Sequence, residues 1–354
     1  MENRNVRLPR GSTIVVTGVN GYIGSAVAKL LLELGYKVRG TVRAPKPWVN
    51  EYFEGRHGSD NFKTTIVPDF QDRVALGRAF KGASGIIHVA HDMSWSLDPN
   101  IAVTQPVNAV LNTLSVASQY DSIKRIVLTS TMGAAPLLDP DFNPATKPID
   151  EDDWNDVAVE AAWSDSTPIK MRAGLIYAAA KVEGDKKALQ WVHDNKPGFE
   201  LNTVMPGFTF GKTLHPSCTG QSMSLIAGLL RGEPTSLFDI VPPWFIDTED
   251  VARLHVIGLL APELSSQRIF ACAHPFTWRE LIGILRELDP SNSLIPDGPE
   301  ENREPCHIIP AAKAERMIQD FFGRTGFTSL RDSLAAALTK STFSAYLMPN
   351  TRHQ

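Results

Sequence analysis

Thr17-Gly18-Val19-Asn20-Gly21-Tyr22-Ile23-Gly24 constrains this chain more than any other stretch, because it joins a β-branched run to a helical pattern. Upstream, Thr13-Ile14-Val15-Val16 reads as a short buried strand. Downstream, apolar residues at Ile23, Val27, Leu30, Leu31 and Leu34 recur at helical spacing. Gly35 then offers a C-cap before a second β run, Lys37 to Val42. The order is that of a βαβ unit. In such a unit Gly18 allows the tight turn, Gly21 lets the backbone approach a pyrophosphate, and Gly24 lets helix and strand pack closely. The helix N-terminus faces the anion, so Asn20, Tyr22 and Ile23 join the three glycines as expected dinucleotide contacts. The spacing is G-x-x-G-x-x-G, one residue longer in its first half than G-x-G-x-x-G.

Further short strand patterns follow at Thr64 to Val67, Gly85 to Ala90 and Lys124 to Thr131, separated by helical stretches at Asp72 to Phe80 and Gln105 to Gln119. This alternation predicts an α/β fold with a doubly wound parallel sheet. Ligands in such sheets sit beyond the carboxyl ends of the strands, where Asp69, His88, Val89, Ala90, Thr129 and Thr131 fall. Asp69 is placed to accept from an adenine amino group or to serve as a turn residue. His88, inside an apolar run, is read as packing on the cofactor, with no acid–base role.

The end of the second strand selects between dinucleotides, because an acid there would hold a ribose 2′-hydroxyl and repel a 2′-phosphate. The segment reads Val38-Arg39-Gly40-Thr41-Val42-Arg43, without an acid. A guanidinium matches phosphate geometry, so the sequence predicts NADPH/NADP+ rather than NADH, with Arg43 as the phosphate contact and Lys46 assisting.

Chemistry enters at Tyr177-Ala-Ala-Ala-Lys181. On a helix, positions i and i+4 share a face, so the phenol and the ammonium address one ligand. A free phenol has a pKa of about 10, and a nearby cation is expected to lower it towards the range of a useful proton donor. Tyr177 is thus the candidate general acid.

Taken together, these residues resemble the extended short-chain dehydrogenases/reductases, and within them the branch of plant dihydroflavonol 4-reductases and fungal NADPH-dependent aldehyde and carbonyl reductases. The resemblance runs through the loop at 17–24, Gly35 to Arg43, His88-Val89-Ala90, Arg125 to Ser130, the acidic-Trp segment Asp150 to Trp154, and Tyr177 to Lys181. It implies a Rossmann domain over residues 1–205 and about 241–272. A smaller discontinuous substrate lobe is implied over 206–240 and 273–354. The family's third catalytic group is a hydroxyl on the substrate carbonyl, here Thr131, with Ser130 as fallback. Thr131 carries an extra methyl group and stiffer rotamers than the usual serine. By the same resemblance Pro206 and Phe208 line a nicotinamide pocket, and Lys181 both tunes Tyr177 and holds the nicotinamide ribose. The implied reaction is reduction of an aldehyde or ketone to the alcohol.

Composition suits such an enzyme: 354 residues, 43% hydrophobic, net charge −4. That charge gives no electrostatic case for nucleic acid or an anionic membrane. Cys218, Cys272 and Cys306 are an odd count without C-x-x-C spacing, so neither a disulfide framework nor a metal site is indicated, and a reduced cytoplasmic setting is expected. Residues 1–10 lack an apolar core for a signal peptide. Gly211-Lys212-Thr213 is not a P-loop, because Gly207 leaves three intervening residues where four are needed. Met93, Trp95, Met132 to Pro136, Phe208, Trp244 and Phe245 are candidate substrate contacts, and they favour a hydrophobic or aryl carbonyl. A monomer or homodimer is expected. Two other readings stay open: a nucleotide-sugar epimerase or dehydratase with retained cofactor, and a noncatalytic NADP sensor.

Overall fold

The structure is a computed structural model, and it describes residues 5–91, 95–136, 147–218, 220–233, 235, 243–300 and 306–339. The candidate contact Met93 lies outside the described residues. From the N-terminus the elements are β1 (Thr13–Thr17), α1 (Tyr22–Glu33), β2 (Lys37–Val42), α2 (Pro47–His57), β3 (Phe62–Ile66), α3 (Arg73–Phe80), β4 (Gly85–His88), α4 (Pro99–Ala102), α5 (Thr104–Ala117) and β5 (Arg125–Thr129). There follow α6 (Asp156–Trp163), α7 (Ile169–Asn195), β6 (Glu200–Pro206), β7 (Phe208–Phe210), α8 (Gln221–Leu230), β8 (Trp244–Asp247), α9 (Thr248–Leu260), β9 (Arg268–Ala271), β10 (His274–Pro275), α10 (Trp278–Leu288), α11 (Ala311–Phe322) and α12 (Leu330–Ala337).

Seven strands form one parallel sheet in the order β3-β2-β1-β4-β5-β6-β9. The order reverses between β1 and β4, which opens a crevice at their carboxyl ends. Both faces of the sheet are covered. One carries α1 and α9, with Val27, Leu31, Leu254 and Ile257 in its core; the other carries α3 and α5, with Leu76, Phe80 and Leu114. Burial on both faces explains the unbroken apolar runs of β1 and β4.

Helix starts follow local chemistry. Asp72 caps α3, its carboxylate accepting from Val74 N and Ala75 N, and Asp247 caps α9 by accepting from Glu249 N. The strands are shorter than their apolar runs: β4 stops at His88 and β5 at Thr129. The carboxyl ends of both runs thereby leave the sheet and enter the crevice. Helix α2 carried no clear periodic signal, since only Val49 and Phe53 are buried along its 11 residues.

A smaller three-stranded sheet, β10-β8-β7, stands beyond β6. It packs Phe208, Phe210, Phe245 and Phe276 with Trp278 into an aromatic cluster beneath α8, α10 and α12. Gly207 makes the turn into it, since a Cβ there would stand 2.4 Å from the Trp244 carbonyl oxygen. The chain regains the large sheet with α9 and β9. Later, α11 lies against α9, contributing Ala314 and Ile318 to the same core.

Candidate active site

A cavity of about 1470 Å³ runs along the crevice from the glycine loop to the small sheet. Pockets for a single drug-sized ligand span roughly 300–1,000 Å³, so this one has room for more than one small molecule. Gly18, Asn20, Gly21, Tyr22, Ile23, Gly24, Arg43, Asp69, His88, Val89, Ala90, Thr129, Thr131, Tyr177, Lys181, Pro206 and Phe208 all line it.

The loop end is built from backbone. Gly18 has φ +63°, a left-handed turn, and a Cβ on Gly24 would stand 2.3 Å from the Gly18 carbonyl oxygen. The N-cap of α1 is Gly21, without a side-chain cap and without an acid in the first turn. That uncapped helix end opens into the cavity and suits an anion such as a pyrophosphate. Tyr22 departs from the simple expectation. Its ring is buried and its hydroxyl donates to Gly211 O at 2.8 Å, so the side chain ties the loop to the smaller sheet while its backbone borders the cavity.

At the end of β2 the two arginines separate. Arg39 donates to Ala79 O and Lys81 O at 2.7 and 2.8 Å, closing the C-terminus of α3. Arg43 and Lys46 are exposed on the cavity rim, and β2 itself carries no acid. This donor set fits NADPH: Arg43 would hold a 2′-phosphate and the α1 N-terminus the pyrophosphate. Asp69 is exposed beside them and accepts from Gln71 N at 2.9 Å, a turn role that leaves its second oxygen to the cavity.

Deeper in, the Thr17 hydroxyl accepts from Ala90 N at 3.0 Å and shares a hydrogen bond with His88 Nδ1 at 3.2 Å. Burial pushes the imidazole pKa down to about 3, so His88 is neutral. It packs edge-on against Phe70. Thr129 is similarly occupied. Its carbonyl accepts from Lys181 Nζ at 2.8 Å, and its hydroxyl meets His255 Nε2 at 2.8 Å. His255 gives its Nδ1 proton to Val251 O, so Nε2 accepts from Thr129. The effect is to pin the carbonyl that anchors Lys181.

Tyr177 and Lys181 lie one turn apart on α7 and are enclosed by protein except where they face the cavity. The expectation that Lys181 brings the phenol down is not met. Burial pushes Tyr177 up to about 12, and the facing Thr131 hydroxyl offsets only part of this. Lys181, turned to Thr129 O, is itself brought down to about 8 by burial. Desolvation of the charged form is the largest effect on each group. Thr131 has extended backbone and accepts from Gly133 N at 3.2 Å, capping a short 3₁₀ turn at Met132–Ala134, which fixes its hydroxyl toward Tyr177. Ser130 is buried and borders the same cavity, where it faces Asp185 rather than Tyr177.

Around the phenol stand two rings in the loop after β4. His91, which the sequence reading passed over, meets Tyr177 edge-on at 5.3 Å, and Trp95 tilts against it at 5.5 Å. Only the apolar run ending at Ala90 hinted that a strand end lay there. Met132, Phe208 and Trp244 line the same end. Phe245, Ala134, Ala135 and Pro136 do not: they are buried in the packing behind it, where strand alternation and the 3₁₀ turn direct them.

Residues 14–273 match the NAD dependent epimerase/dehydratase family. The chain is 70% identical over 334 residues to ketoreductase nvfG of Aspergillus novofumigatus, covering 94% of this chain and 98% of that one. It is 31% identical over 334 residues to aldehyde reductase 2 of Sporidiobolus salmonicolor, covering 93% and 96%. Among solved structures, yeast methylglyoxal/isovaleraldehyde reductase Gre2, complexed with NADPH, superposes with a TM-score of 0.74 at 22% identity, covering 95% and 98% of the two chains. That likeness establishes the fold.

Proposed function

The chain belongs to the NAD dependent epimerase/dehydratase family, and from that premise we propose that it reduces an aldehyde or ketone to the alcohol with NADPH, Tyr177 protonating the carbonyl oxygen. The observation that carries this reading is a protonated phenol held against Thr131 in the same cavity as a glycine-loop cradle with Arg43 at its rim. When bound, NADPH supplies the hydride; the chain supplies position and a proton. Thr131 hydrogen-bonds the carbonyl oxygen and orients it to Tyr177. The phenol, neutral throughout the physiological range, donates its proton as negative charge develops on that oxygen. Lys181, fixed by Thr129 O, places a positive charge below the phenol and stabilises the phenolate left behind.

Trp95, Met132, Phe208, Leu225 and Trp244 border the far end of the cavity, and among the described residues no Lys/Arg cluster stands with them. This favours a hydrophobic or aryl carbonyl over a sugar diphosphate. The test is consumption of NADPH against aryl aldehydes, α-ketoesters and diketones, with NADH and Tyr177→Phe in parallel. Turnover that requires added NADPH and the phenol supports the reductase. Turnover of a nucleotide sugar without added NADPH would replace it with an epimerase.

A further inference from the structure

Tyr177 and Lys181 occupy successive turns of one face of α7, and the next position in that register is Asp185. It is 4% exposed and borders the same cavity. The sheet surrounds it with polar groups. Ser130, beyond the end of β5, faces it closely enough to pull on the carboxyl, short of a formed hydrogen bond. From β9 comes Arg268, whose guanidinium lies 3.6 Å from the Trp154 ring centroid and donates through Nη1 to Glu151 O and Asp153 O. Two partly buried cations, Lys181 and Arg268, thus flank one buried carboxylate.

We propose that Asp185 is a positioning residue for proton transfer: its carboxylate keeps Lys181 an ammonium at Thr129 O, and so sets the alkaline limit of turnover. The inference rests on the reading of Tyr177 and Lys181 given above. The groups facing Lys181 are Tyr177 and Asp185 from α7, His88 from β4, His91 from the loop after it, and His255 from α9. The three histidines are held neutral by burial. Among the described residues, Asp185 is the one anion acting on Lys181, and it opposes the burial that brings the amine to about 8. Burial raises Asp185 itself to about 6, with Ser130, Lys181 and Arg268 all pulling against the rise, so it is ionised where Lys181 titrates.

The sign follows. Without the carboxylate, burial acts unopposed and Lys181 loses its proton at lower pH. In Asp185→Asn the alkaline limb of kcat/KM therefore moves down by about one pH unit, the shift a nearby opposite charge typically gives. Asp185→Glu returns it close to the wild-type position. A second readout does not depend on turnover. The pH at which NADP+ affinity changes, measured by calorimetry, moves down in parallel, because Lys181 borders the cavity that the cofactor enters. If Asp185→Asn is not recovered folded, Asp185→Ser, which cannot overfill the site, carries the same test. A uniform loss of rate at every pH with the limb unmoved in both readouts overturns the proposal, as does a wild-type limb that lies where a free lysine titrates. Absence of any carbonyl turnover in the wild type counts against the reductase reading instead, and the calorimetric limb still decides the role of Asp185.

Discussion

The two ends of the cavity are built from opposite materials. At the loop end the groups facing the ligand are backbone N–H donors, a helix terminus and exposed cations, Arg43 and Lys46. At the far end, Tyr177, Lys181, Asp185, His88 and His91 are enclosed, and burial is the leading cause of each of their displaced pKa values. Exposed charges act through water and are screened by salt; enclosed ones are not. On the proposed reading the loop end governs which cofactor binds and how tightly. The enclosed end, on the same reading, governs whether a proton moves, and there single atoms have larger effects.

The largest effect belongs to the phenol. Tyr177→Phe removes the proton donor and leaves the ring, so kcat falls by roughly 10²–10⁴-fold, the usual span for a general acid, while NADPH affinity measured by fluorescence stays within about twofold. A comparable loss of NADPH affinity would erase the distinction between the ends, because it would place Tyr177 in cofactor binding.

Next in size is the loop. A Cβ at residue 24 meets the Gly18 carbonyl oxygen at 2.3 Å and its carbonyl carbon at 3.0 Å, and backbone cannot rotate away as a side chain can. Gly24→Ala is expected to cost about 1–3 kcal/mol in urea unfolding, the range for overpacking, and to weaken NADPH binding as the loop shifts. Unchanged stability would mean that α1 slides freely on β1, and the cradle would then be softer than its geometry indicates.

The rim comes third. Arg43→Ala raises the KM for NADPH by about tenfold and leaves that for NADH unchanged, since only the former carries a 2′-phosphate for a guanidinium to grip. Because Arg43 is exposed, the difference shrinks as salt is raised. Arg39→Ala is the control. Its guanidinium is committed to the α3 carbonyls, so the ratio of the two cofactors does not move. If Arg39 and Arg43 prove equivalent, selection comes from the general field of the rim.

The same contrast explains what was legible in the sequence. The loop end depends on glycine spacing and on a strand end, both local, and so Gly18, Gly21, Gly24 and Arg43 were readable in order. The caps at Asp72 and Asp247 are local too. Asp185 was not readable. It sits in Lys181-Val-Glu-Gly-Asp-Lys-Lys, which looks like a solvated helix face. Yet α7 is 27 residues long and is covered by α5 and α6 as well as the sheet, so a polar residue is carried inside on a side that periodicity cannot identify. The direction of the Tyr177 shift was missed for a related reason. Spacing shows that a lysine is near, but enclosure, which decides the sign here, is a property of the assembled fold. Phe245 was read as a pocket residue because aromatic character is shared by pockets and cores, and only strand alternation in β8 separates them.

His91 gives the smallest effect and the finest division between the two ends. Its ring meets the Tyr177 ring at 80° with centroids 5.3 Å apart, and Trp95 closes the other side. An edge-to-face pair contributes about 0.5–1.5 kcal/mol beyond burial, so His91→Ala, which frees the phenol ring to move, is expected to lower kcat by roughly twofold to tenfold. NADPH affinity should hold, since no loop contact is altered. Burial keeps the imidazole uncharged, so the loss does not follow the protonation of His91. His91→Phe keeps an aromatic edge and restores most of the rate. A loss that His91→Phe does not restore would show that the imidazole nitrogens, and not the ring's edge, act at the enclosed end, and the phenol would then share its hydrogen-bonding work with a second polar group.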